Sequence, residues 1–522
     1  MAITPWRRPR RGIFGERPMH DRGNGSRIAP PLRFGSGQIM KFLVKLFPEI
    51  TIKSKPVRKD LVKQLRINIR RVLRQIDENV VVEGSWDKIE VLLPDADERT
   101  SKRAIEALQR VSGITNFLVV HEYPLVDFHT IYLNAKALYE EQLEGKRFQV
   151  RVKRAGKHDF TSMDLERYVG GGLRQHTKAA GVDLSNPEVI ISIEVRDDKY
   201  YLVEKRYEGL GGYPVGGLEP VVSLMSGGYD SGVASYLTMK RGMRTHFCFF
   251  NLGGTAHEVG VKQAALYLWE KYGGGQRVKF ITVPFEGVVA EILDKIYHSN
   301  MGVVLKRMML RAATQVARDL SATALVTGEC VAQVSSQTLT NLNVIDSATD
   351  MLVLRPLIVT DKQDIIRMAG QIGVEEFARN MPEYCGVISD RPTTKARDYR
   401  IENDEKRFDM QVLEQALANR RAINIDEIMQ SELTVDEVEV VSTPSLDDII
   451  IDIRHPNEQE KAPLTLTNNK ILQIPFYELE SRMADLDGEA RYLLFCDKGV
   501  MSQLHASHLN GNGRKVLVYR PL

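Results

Sequence analysis

The sequence is poor in cysteine and contains no long apolar run. Its four cysteines lie far apart among 522 residues, which excludes a disulfide framework and a CxxC zinc site. No stretch approaches roughly 18 consecutive apolar residues, so neither a transmembrane helix nor a membrane partner is predicted. Glycine and proline are near average use, which excludes collagen-like and wholly disordered chains. What remains is a globular protein long enough for roughly three or four domains.

The net charge of +3 conceals an asymmetry between the N-terminal segment and the rest of the chain. Eight arginines against two acidic residues give residues 1–39 a net charge of +6, which leaves −3 for residues 40–522. The segment has five prolines and little apolar periodicity, so we expect a disordered basic extension. It lacks the apolar run of a secretory signal, whereas a transit peptide stays open. Met40 begins a strand-like run and is an alternative start of the protein.

Periodicity divides the remaining chain into units and predicts an α/β multidomain protein. Residues 40–115 follow the pattern strand, helix, strand, strand, helix, strand, which is typical of a ferredoxin-like α+β unit. A second α/β unit follows over 116–210. Over 217–395, short apolar strands alternate with amphipathic helices, which predicts a doubly wound parallel sheet. We expect a solvated, charged helical connector at 396–443 and a last α/β unit at 444–522.

A glycine-rich loop joins a buried strand to a helix in the sequence SLMSGGYDSG. Gly227 and Gly228 let the backbone approach an anion, and the following helix start presents free N–H groups. Ser226 and Ser231 add hydroxyl groups, and Asp230 is placed to hold a metal that bridges phosphates. The spacing differs from a Walker loop and matches the SGGxDS signature of PP-loop ATP pyrophosphatases, which cleave ATP to AMP and pyrophosphate. A glycine-rich turn of an ordinary doubly wound domain is the alternative.

Other residues of this unit lie where a nucleotide would bind. Gly328 and Phe250 end predicted strands, and open α/β sheets bind ligands at the carboxyl ends of their strands. Lys306, Arg307 and Lys362 could neutralise phosphates. Taken singly, each cation is also typical of a solvated surface charge.

Two cysteines lie in sequence contexts that suggest chemistry. Cys496 follows a strand in CDKGVMS, where loop amides, a helix start and Lys498 would stabilise an anionic persulfide. Cys385 lies in MPEYCGV, whose proline and glycine indicate an exposed loop that suits a resolving thiol. The alternative for Cys496 is a buried cysteine with a structural role, and the alternative for Cys385 is a cysteine without a functional role. We interpret Cys248 as part of a buried strand and Cys330 as a packing residue near the nucleotide.

A basic segment with interleaved phenylalanines lies at residues 147–160. It offers Arg151, Lys153, Arg154 and Lys157 for phosphate contacts, and phenylalanine rings for base stacking. The segment therefore predicts an RNA-binding face. A basic, solvated strand face without a ligand is the alternative.

The order of these features resembles the tRNA 4-thiouridine synthase family over residues 40–522. The residues that carry the resemblance are SGGYDSG, MPEYCGV and CDKGVMS, and the basic unit resembles a THUMP domain. The CxxGxxS spacing, with Asp452–Arg454 one strand earlier, resembles a rhodanese domain. Residues 1–39 are not part of the family pattern, and Cys330 stands where a small residue without a thiol is expected.

The resemblance implies an ATP-dependent sulfurtransferase. A cysteine desulfurase loads Cys496 with a persulfide, and Mg-ATP adenylates the uridine at position 8 of tRNA. Persulfide sulfur then replaces the activated oxygen to give 4-thiouridine, and Cys385 resolves the persulfide by forming a Cys385–Cys496 disulfide, which a reductant opens. Sulfur donation towards the thiamine thiazole and a cytoplasmic location are also implied, and a homodimer stays open.

The resemblance also implies individual site residues. Asp230 and Lys362 match positions tied to activation, and Mg²⁺ is expected to accompany ATP. The remaining ATP-binding positions carried over from the family are Leu224, Met225, Phe249, Phe250, Lys306, Gly328 and Gln337.

Two other functional classes stay open. One is a different PP-loop enzyme, such as a tRNA 2-thiouridylase or an amide-forming ligase, although a ligase would have no use for Cys496. The other is a sulfur-carrying or interaction protein with a vestigial PP-loop domain, against which the intact SGGYDS loop speaks.

Overall fold

The computed structural model describes residues 39–84, 88–94, 96–252, 255–379, 381, 391–428, 438–454, 459–460, 462–466, 468–475, 479–483, 485–488, 490–496, 502, 505–506, 509–510 and 514–521. The predicted basic extension, except Ile39, and the loop residues Cys385 and Lys498 lie outside this set. None of the helices it contains combines the length and the apolar character that crossing a membrane requires.

An eight-stranded sheet forms the N-terminal part of the described chain, with the order β2-β3-β1-β4-β8-β7-β5-β6. Its strands are β1 (Met40–Leu46), β2 (Val81–Gly84), β3 (Ile89–Leu93), β4 (Ile114–Pro124), β5 (Arg147–Ala155), β6 (Gly181–Val182), β7 (Val189–Arg196) and β8 (Lys199–Gly211). The accompanying helices are α1 (Pro48–Thr51), α2 (Lys55–Leu73), α3 (Glu98–Gln109), α4 (Phe128–Leu143) and α5 (Ser162–His176).

Strand β4 is shared by the two units that the sequence analysis separated. It pairs antiparallel with β1 on one side and with β8 on the other, so both units belong to one sheet. The predicted boundary at 115/116 therefore falls inside a strand that both units use. The pattern concealed this because β4 completes the first βαββαβ unit and also pairs with the second.

Short polar side chains fix where the covering helices begin. Asp97 and Asp127 each accept a hydrogen bond from the backbone N–H three residues later, at 2.6 and 2.7 Å. Thr161 and Asp164 form a reciprocal capping box at the start of α5. These caps satisfy N–H groups that have no partner within their own helix.

The middle of the chain forms a six-stranded sheet, as far as the described residues extend, with the order β13-β12-β9-β10-β11-β14. Its strands are β9 (Leu218–Leu224), β10 (Met243–Asn251), β11 (Lys279–Pro284), β12 (Ala324–Val326), β13 (Leu352–Leu354) and β14 (Arg421–Asn424). Its helices are α6 (Tyr229–Lys240), α7 (Thr255–Tyr272), α8 (Glu286–Lys295), α9 (Met301–Asp319), α10 (Leu339–Asp346), α11 (Lys362–Ile372), α12 (Glu375–Arg379), α13 (Asp398–Glu405) and α14 (Met410–Ala418). Strands β9 to β13 are parallel, as predicted.

The solvated connector expected at 396–443 is contradicted by its described part. Strand β14 pairs antiparallel with β11 and closes one edge of the sheet. Glu405 of α13 accepts hydrogen bonds from Arg307 and Arg311 of α9, at 2.7–3.0 Å. The charges that suggested a solvated segment therefore form ion pairs that attach it to the central unit.

The last described strands form a five-stranded parallel sheet with the order β15-β19-β18-β16-β17. The elements are β15 (Val440–Val441), β16 (Ile449–Asp452), β17 (Lys470–Gln473), β18 (Tyr492–Phe495), β19 (Val516–Tyr519) and α15 (Leu479–Met483). This sheet begins slightly before the predicted boundary at 444. Because β16 and β18 are neighbours, the residues that follow these two strands meet at one edge.

A buried polar junction joins the N-terminal sheet unit to the central unit. Asn68 of α2 donates to the carbonyl of Val215 at 2.9 Å and accepts from Gln276 at 2.8 Å. Nearby, the Tyr213 hydroxyl donates to Glu49 at 3.1 Å. Asn68 and Gln276 are both buried, so this contact fixes the two units relative to each other.

Candidate functional site

The SGGYDSG loop occupies the point where the central sheet changes direction. Strands β9 and β12 are neighbours, and the chain runs from β9 towards one edge and later from β12 towards the other. The loop follows β9, and Gly328 lies just after β12, so both lie at the crevice where doubly wound sheets bind ligands.

Internal hydrogen bonds give the loop its shape. Gly227 adopts a φ of +83°, a conformation that favours glycine, and Met381 packs closely against it. The Ser231 hydroxyl donates to the carbonyl of Gly228 at 3.0 Å and accepts from the backbone N–H of Ser226 at 3.2 Å. Ser231 thus holds the loop from within, while Ser226 is exposed towards the crevice.

Asp230, at the start of α6, is held from two sides. Lys362 Nζ donates to its two carboxylate oxygens at 2.8 and 3.0 Å, and Gln333 Nε2 donates at 2.9 Å. Asp230 and Lys362 are predicted from the sequence, whereas Gln333 is not, because it lies in an irregular segment without a recognisable spacing. The structure therefore joins the two residues tied to activation in one ion pair.

The predicted ATP-binding residues surround two adjoining cavities of about 370 and 180 Å³. The larger is lined by Leu224, Met225, Ser226, Gly228, Asp230, Phe249, Phe250, Lys306, Gln337 and Lys362. The smaller shares several of these residues and adds Ser231, Gly328 and Glu329. We call the two together the nucleotide cavity. That these residues bind ATP stays a prediction, but the fold places them at one crevice.

A histidine that the sequence analysis did not single out supports the loop. His257 Nε2 donates to the carbonyl of Ser226 at 3.0 Å, and its ring packs edge-on against Phe249. Burial lowers the pKa of His257, so a neutral ring makes this contact at pH 7. The residue was missed because α7 carries it to the loop from 31 positions further along the chain.

Three cations are predicted to face phosphates, and one of them, Arg307, does not line the nucleotide cavity. Its guanidinium is buried and bonds Glu405, the carbonyl of Val344 and the hydroxyl of Ser347. Lys306 and Lys362 do line the cavity. Neighbouring positions on a helix point about 100° apart, which is why only one of the pair Lys306 and Arg307 reaches the ligand side.

We expect Gly328→Ala to disrupt the loop, because a Cβ atom at this position would lie 2.5–2.7 Å from backbone atoms of Asp230 and Ser231. Backbone cannot move away as a flexible side chain can, so ATP-to-AMP turnover should fall at least tenfold by this argument. Gly171→Ala is the control, because a Cβ atom on that helix would meet open space. Equal turnover by both variants would contradict the close approach.

Cys496 lies directly after β18, and Ser502 contacts its sulfur. The Ser502 backbone N–H donates to Sγ at 3.3 Å, and the two side chains lie 3.4 Å apart. Beside it, Arg454 forms a buried ion pair with Asp452 and lies over the Phe495 ring. An amide aimed at the sulfur is the arrangement that would stabilise a negative charge there.

The Cys496 thiol opens into a groove far from the nucleotide cavity. The groove lies between the N-terminal and central units, and its wall includes Arg103 of α3, Arg110 directly after α3, and Tyr272 at the end of α7. Because α7 carries His257 at the nucleotide cavity and Tyr267 to Tyr272 at the groove, the two sites are separated by about 15 to 22 Å along this helix, at 1.5 Å per residue. Cys496 therefore cannot reach the nucleotide cavity in this arrangement.

The other cysteines have distinct surroundings. Cys248 is fully buried, and burial raises the pKa of its thiol to about 12, which makes it unreactive. Cys330 Sγ donates to the carbonyl of Thr360 at 3.1 Å. Cys385 lies outside the described residues, but Met381 and Pro392, which flank it in sequence, line the nucleotide cavity. The disulfide between Cys385 and Cys496 remains a prediction.

The predicted RNA-binding cations are exposed on and after strand β5. These residues are Arg151, Lys153, Arg154 and Lys157. Lys153 and Arg154 line a polar cavity of about 320 Å³ together with Lys45, Arg196 and Arg206. The prediction of a stacking surface is wrong for Phe148, because its ring is buried in the core.

No group of three metal-ligating side chains occurs within the described part of the chain. At the nucleotide cavity, Asp230 is a carboxylate in the position expected for a Mg²⁺ contact, although Lys362 already pairs with it. Mg²⁺ commonly binds through one or two carboxylates together with substrate phosphates. The residues therefore fit an ion that arrives with ATP.

Comparison with known families finds three matches along the chain. The ThiI ferredoxin-like domain matches residues 41–117, the THUMP domain matches 126–203, and the thiamine biosynthesis protein (ThiI) matches 216–410. These matches confirm the predicted ferredoxin-like and THUMP units and fit the predicted PP-loop unit.

Similar proteins extend over most of the sequence. The tRNA sulfurtransferase of Pseudomonas aeruginosa is 57% identical over 484 residues, and that of Marinobacter nauticus is 54% identical over 483 residues. Each match covers 92% of this chain and 100% of the relative. A crystal structure of a 4-thiouridine synthetase–RNA complex with bound ATP is 27% identical, with a TM-score of 0.65. It covers 74% of this chain and 100% of the solved one.

Proposed function

This chain belongs to the tRNA sulfurtransferase family and is a sulfurtransferase enzyme, and from that premise we propose that it converts a tRNA uridine to 4-thiouridine with ATP. The observation that carries the proposal is the SGGYDSG loop, which meets Lys306, Lys362 and Gly328 at one crevice. The family resemblance supplies the uridine at position 8 as the site of modification. The tRNA substrate implies that the reaction takes place in the cytoplasm.

In the first step, the uridine O4 attacks the α-phosphate of ATP, forms an adenylated base and releases pyrophosphate. We assign the backbone of the loop and the ammonium groups of Lys306 and Lys362 to binding of the phosphates. Mg²⁺, held by the phosphates with Asp230 as its protein carboxylate, would supply charge neutralisation when bound. The apolar side chains of Phe249 and Phe250 close the larger cavity around the nucleotide.

In the second step, the terminal sulfur of a Cys496 persulfide attacks C4 and displaces AMP. Cys385 then attacks Cys496 Sγ, which leaves the sulfur on the uridine and forms the Cys385–Cys496 disulfide. A cysteine desulfurase supplies the persulfide, and a reductant returns both thiols. The five-stranded parallel sheet and the Ser502 N–H that donates to Cys496 Sγ support a rhodanese domain as the sulfur carrier, which would also serve thiamine thiazole synthesis.

We assign tRNA binding chiefly to residues 40–210, whose polar cavity gathers cations from both halves of the eight-stranded sheet. Lys45 comes from β1, Lys153 from β5 and Arg206 from β8. Glu194 is the carboxylate among them and pairs with Lys45 at 2.6 Å. Burial lowers the pKa of Lys45; Glu194 opposes this effect, and Arg196 and Lys153 add to it. The cations that line the cavity outnumber this one carboxylate, so the face carries positive charge.

We expect the double substitution Lys153→Ala and Arg154→Ala to lower the affinity for tRNA. The affinity of the double variant should also depend less steeply on salt concentration. Each lost phosphate contact should reduce the slope of log K against log salt by about one. The measurement is a titration of the full chain with tRNA at several salt concentrations. Lys178→Ala is the control, because this exposed lysine pairs with Glu144 and lies outside the polar cavity. An unchanged slope in the double variant would remove this face from the tRNA site.

The proposed function is tested by reconstitution of the reaction. The purified chain is combined with tRNA, Mg-ATP, a cysteine desulfurase with cysteine, and a reductant, and the digested nucleosides are identified by mass spectrometry. We expect 4-thiouridine only when ATP is present, with one AMP released per modified base. Formation of 2-thiouridine, or of 4-thiouridine without ATP, would contradict the proposal.

A further inference from the structure

A buried carboxylate lies behind the lysine that faces the nucleotide cavity. Lys306 Nζ donates to Glu329 Oε1 at 2.7 Å. The other oxygen of Glu329 accepts from Arg355 Nε at 2.9 Å and from the Thr327 hydroxyl at 3.0 Å. Arg355 turns its two remaining nitrogens towards Asp346, at 2.9 and 2.5 Å. Glu329 therefore connects helix α9 with the residues that follow β12 and β13.

The arrangement keeps Glu329 charged inside the protein. Burial by itself would raise the pKa of Glu329, but Lys306 and Arg355 together hold that pKa below its usual value. The burial of a carboxylate without partners is unfavourable, so each oxygen of Glu329 is committed to a defined cation. Lys306 cannot leave this position without leaving Glu329 incompletely paired.

This constraint bears on where the ammonium of Lys306 lies before a nucleotide arrives. A lysine side chain has four rotatable bonds and loses considerable conformational entropy when it is fixed. Its ammonium carries three N–H donors, and Glu329 engages one, which leaves the others for a ligand. Lys306 lines both parts of the nucleotide cavity, so the donors that remain lie at the wall where phosphates would bind.

Arg355 prevents Glu329 from acting as a competitor for the cation. A carboxylate with Lys306 as its only partner would cancel the charge that attracts phosphate. Because Arg355 also pairs with Glu329, Lys306 is not the sole cation that balances this carboxylate. Asp346, which balances Arg355, is partly exposed and lies on α10.

We propose that Glu329 is a positioning residue that holds the Lys306 ammonium ready for the phosphates of ATP, with Arg355 as its supporting partner. The proposal rests on the proposed function, in which Lys306 contacts ATP. In this arrangement the orientation of Lys306 is prepared by the protein and does not have to be achieved during binding.

Helix α9 also pairs with a second carboxylate, Glu405, whose role is structural and which therefore serves as a matched control for Glu329. Glu405 is also paired with two cations of α9, Arg307 and Arg311, at 2.7–3.0 Å. Its partners attach α13 to the central unit and do not line the nucleotide cavity. Loss of the Glu405 charge should therefore lower stability without changing how ATP binds.

The test measures tRNA-dependent AMP release by the full chain as a function of ATP concentration. We expect Glu329→Gln to raise the KM for ATP about tenfold, the size of one weakened charge-assisted contact, with a smaller change in kcat. Glu405→Gln should lower the thermal midpoint and leave the KM for ATP unchanged. In a double-mutant cycle, the single variant Lys306→Ala and the double variant that also carries Glu329→Gln should have the same KM for ATP. Glu329 acts through Lys306, so its substitution has no further effect once Lys306 is absent.

The outcomes separate the positioning role from the proposed function. If Lys306→Ala leaves the KM for ATP unchanged, the assignment of Lys306 to ATP fails, and the positioning role fails with it. If Lys306→Ala raises the KM but Glu329→Gln does not, or if the two changes add in the double variant, only the positioning role is overturned. Should Glu329→Gln not fold, Thr327→Val removes one hydrogen bond to Glu329 and should raise the KM by a smaller factor.

Discussion

Replacement of Cys496 with alanine is expected to abolish thiolation of tRNA while tRNA-dependent conversion of ATP to AMP continues. The reason is spatial: the nucleotide cavity lies about 15 to 22 Å along α7 from the groove that holds Cys496, and among the described residues none that lines it comes from the C-terminal sheet. Nucleoside mass spectrometry and AMP release, measured on the same samples, would show the two activities separate.

Two further cysteine variants make this test specific. Cys330→Ala should retain full thiolation of tRNA, because the Cys330 thiol donates a hydrogen bond to the Thr360 carbonyl within the central unit. Cys385→Ser should accept sulfur on Cys496 but fail to turn over. Peptide mapping of the wild type after one turnover without reductant should show the Cys385–Cys496 bridge. A Cys330–Cys496 bridge, with full activity in Cys385→Ser, would overturn the assignment of the resolving thiol.

This disulfide also requires movement of the C-terminal sheet. A disulfide forms only when the two Cα atoms come within about 7 Å. The sequence neighbours of Cys385 on both sides, Met381 and Pro392, line the nucleotide cavity, whereas Cys496 faces the groove between α3 and α7. The predicted disulfide therefore implies that the C-terminal sheet leaves this groove once per catalytic cycle.

Substitution of Asp230 by alanine is expected to reduce tRNA-dependent AMP release roughly a hundredfold or more, as loss of a group that organises transition-state charge typically does. Asp230 pairs with Lys362 and accepts from Gln333, so its removal frees a phosphate-facing cation and deletes the carboxylate nearest to the expected Mg²⁺. Asp230→Asn retains the shape and should be almost equally impaired, since charge is the property that matters.

An ion pair elsewhere in the same unit provides the control. Asp350 pairs with Arg318 at 2.8 Å, with both side chains largely exposed and neither at the nucleotide cavity. Exposed pairs of this kind contribute about 0–1 kcal/mol, so Asp350→Ala should fold and turn over ATP normally. Full AMP release by Asp230→Ala would remove this residue from the adenylation step.

The features that the sequence predicted well are those encoded locally or by parallel topology. The loop around Gly227 was recognisable because strand, glycines and helix follow one another directly. Gly328 and Phe250 were identified because every parallel strand in such a sheet delivers its carboxyl end to the same edge. No contact had to be known in advance for either inference.

The features that were missed depend on contacts between distant elements. His257 reaches the site from α7, whereas Glu329 and Gln333 reach it from the irregular segment after β12, and no recognisable spacing marks these three residues. The ion pair of Arg307 with Glu405 spans 98 positions, so both residues resembled solvated charges.

The buried ring of Phe148 was predictable, in contrast. Phe148, Val150 and Val152 alternate with Arg151 and Lys153 along β5, and successive side chains of a strand point to opposite faces. The strand period therefore places the phenylalanine in the core and the cations outside. The stacking prediction for Phe148 rested on the composition of the segment, and the alternation of side chains along the strand would have corrected it.

Strand β4 has a consequence for how the chain is made. The ferredoxin-like unit is complete once Pro124 has been synthesised, but the partner of β4 on its outer side, β8, ends at Gly211. At about 5–20 residues per second, ribosomes need roughly 4 to 17 seconds for that interval. For this time the nascent unit presents an open edge rich in branched and aromatic side chains, which invites pairing between neighbouring nascent chains. We therefore expect slow codons between β4 and β8 to lower the yield of folded protein.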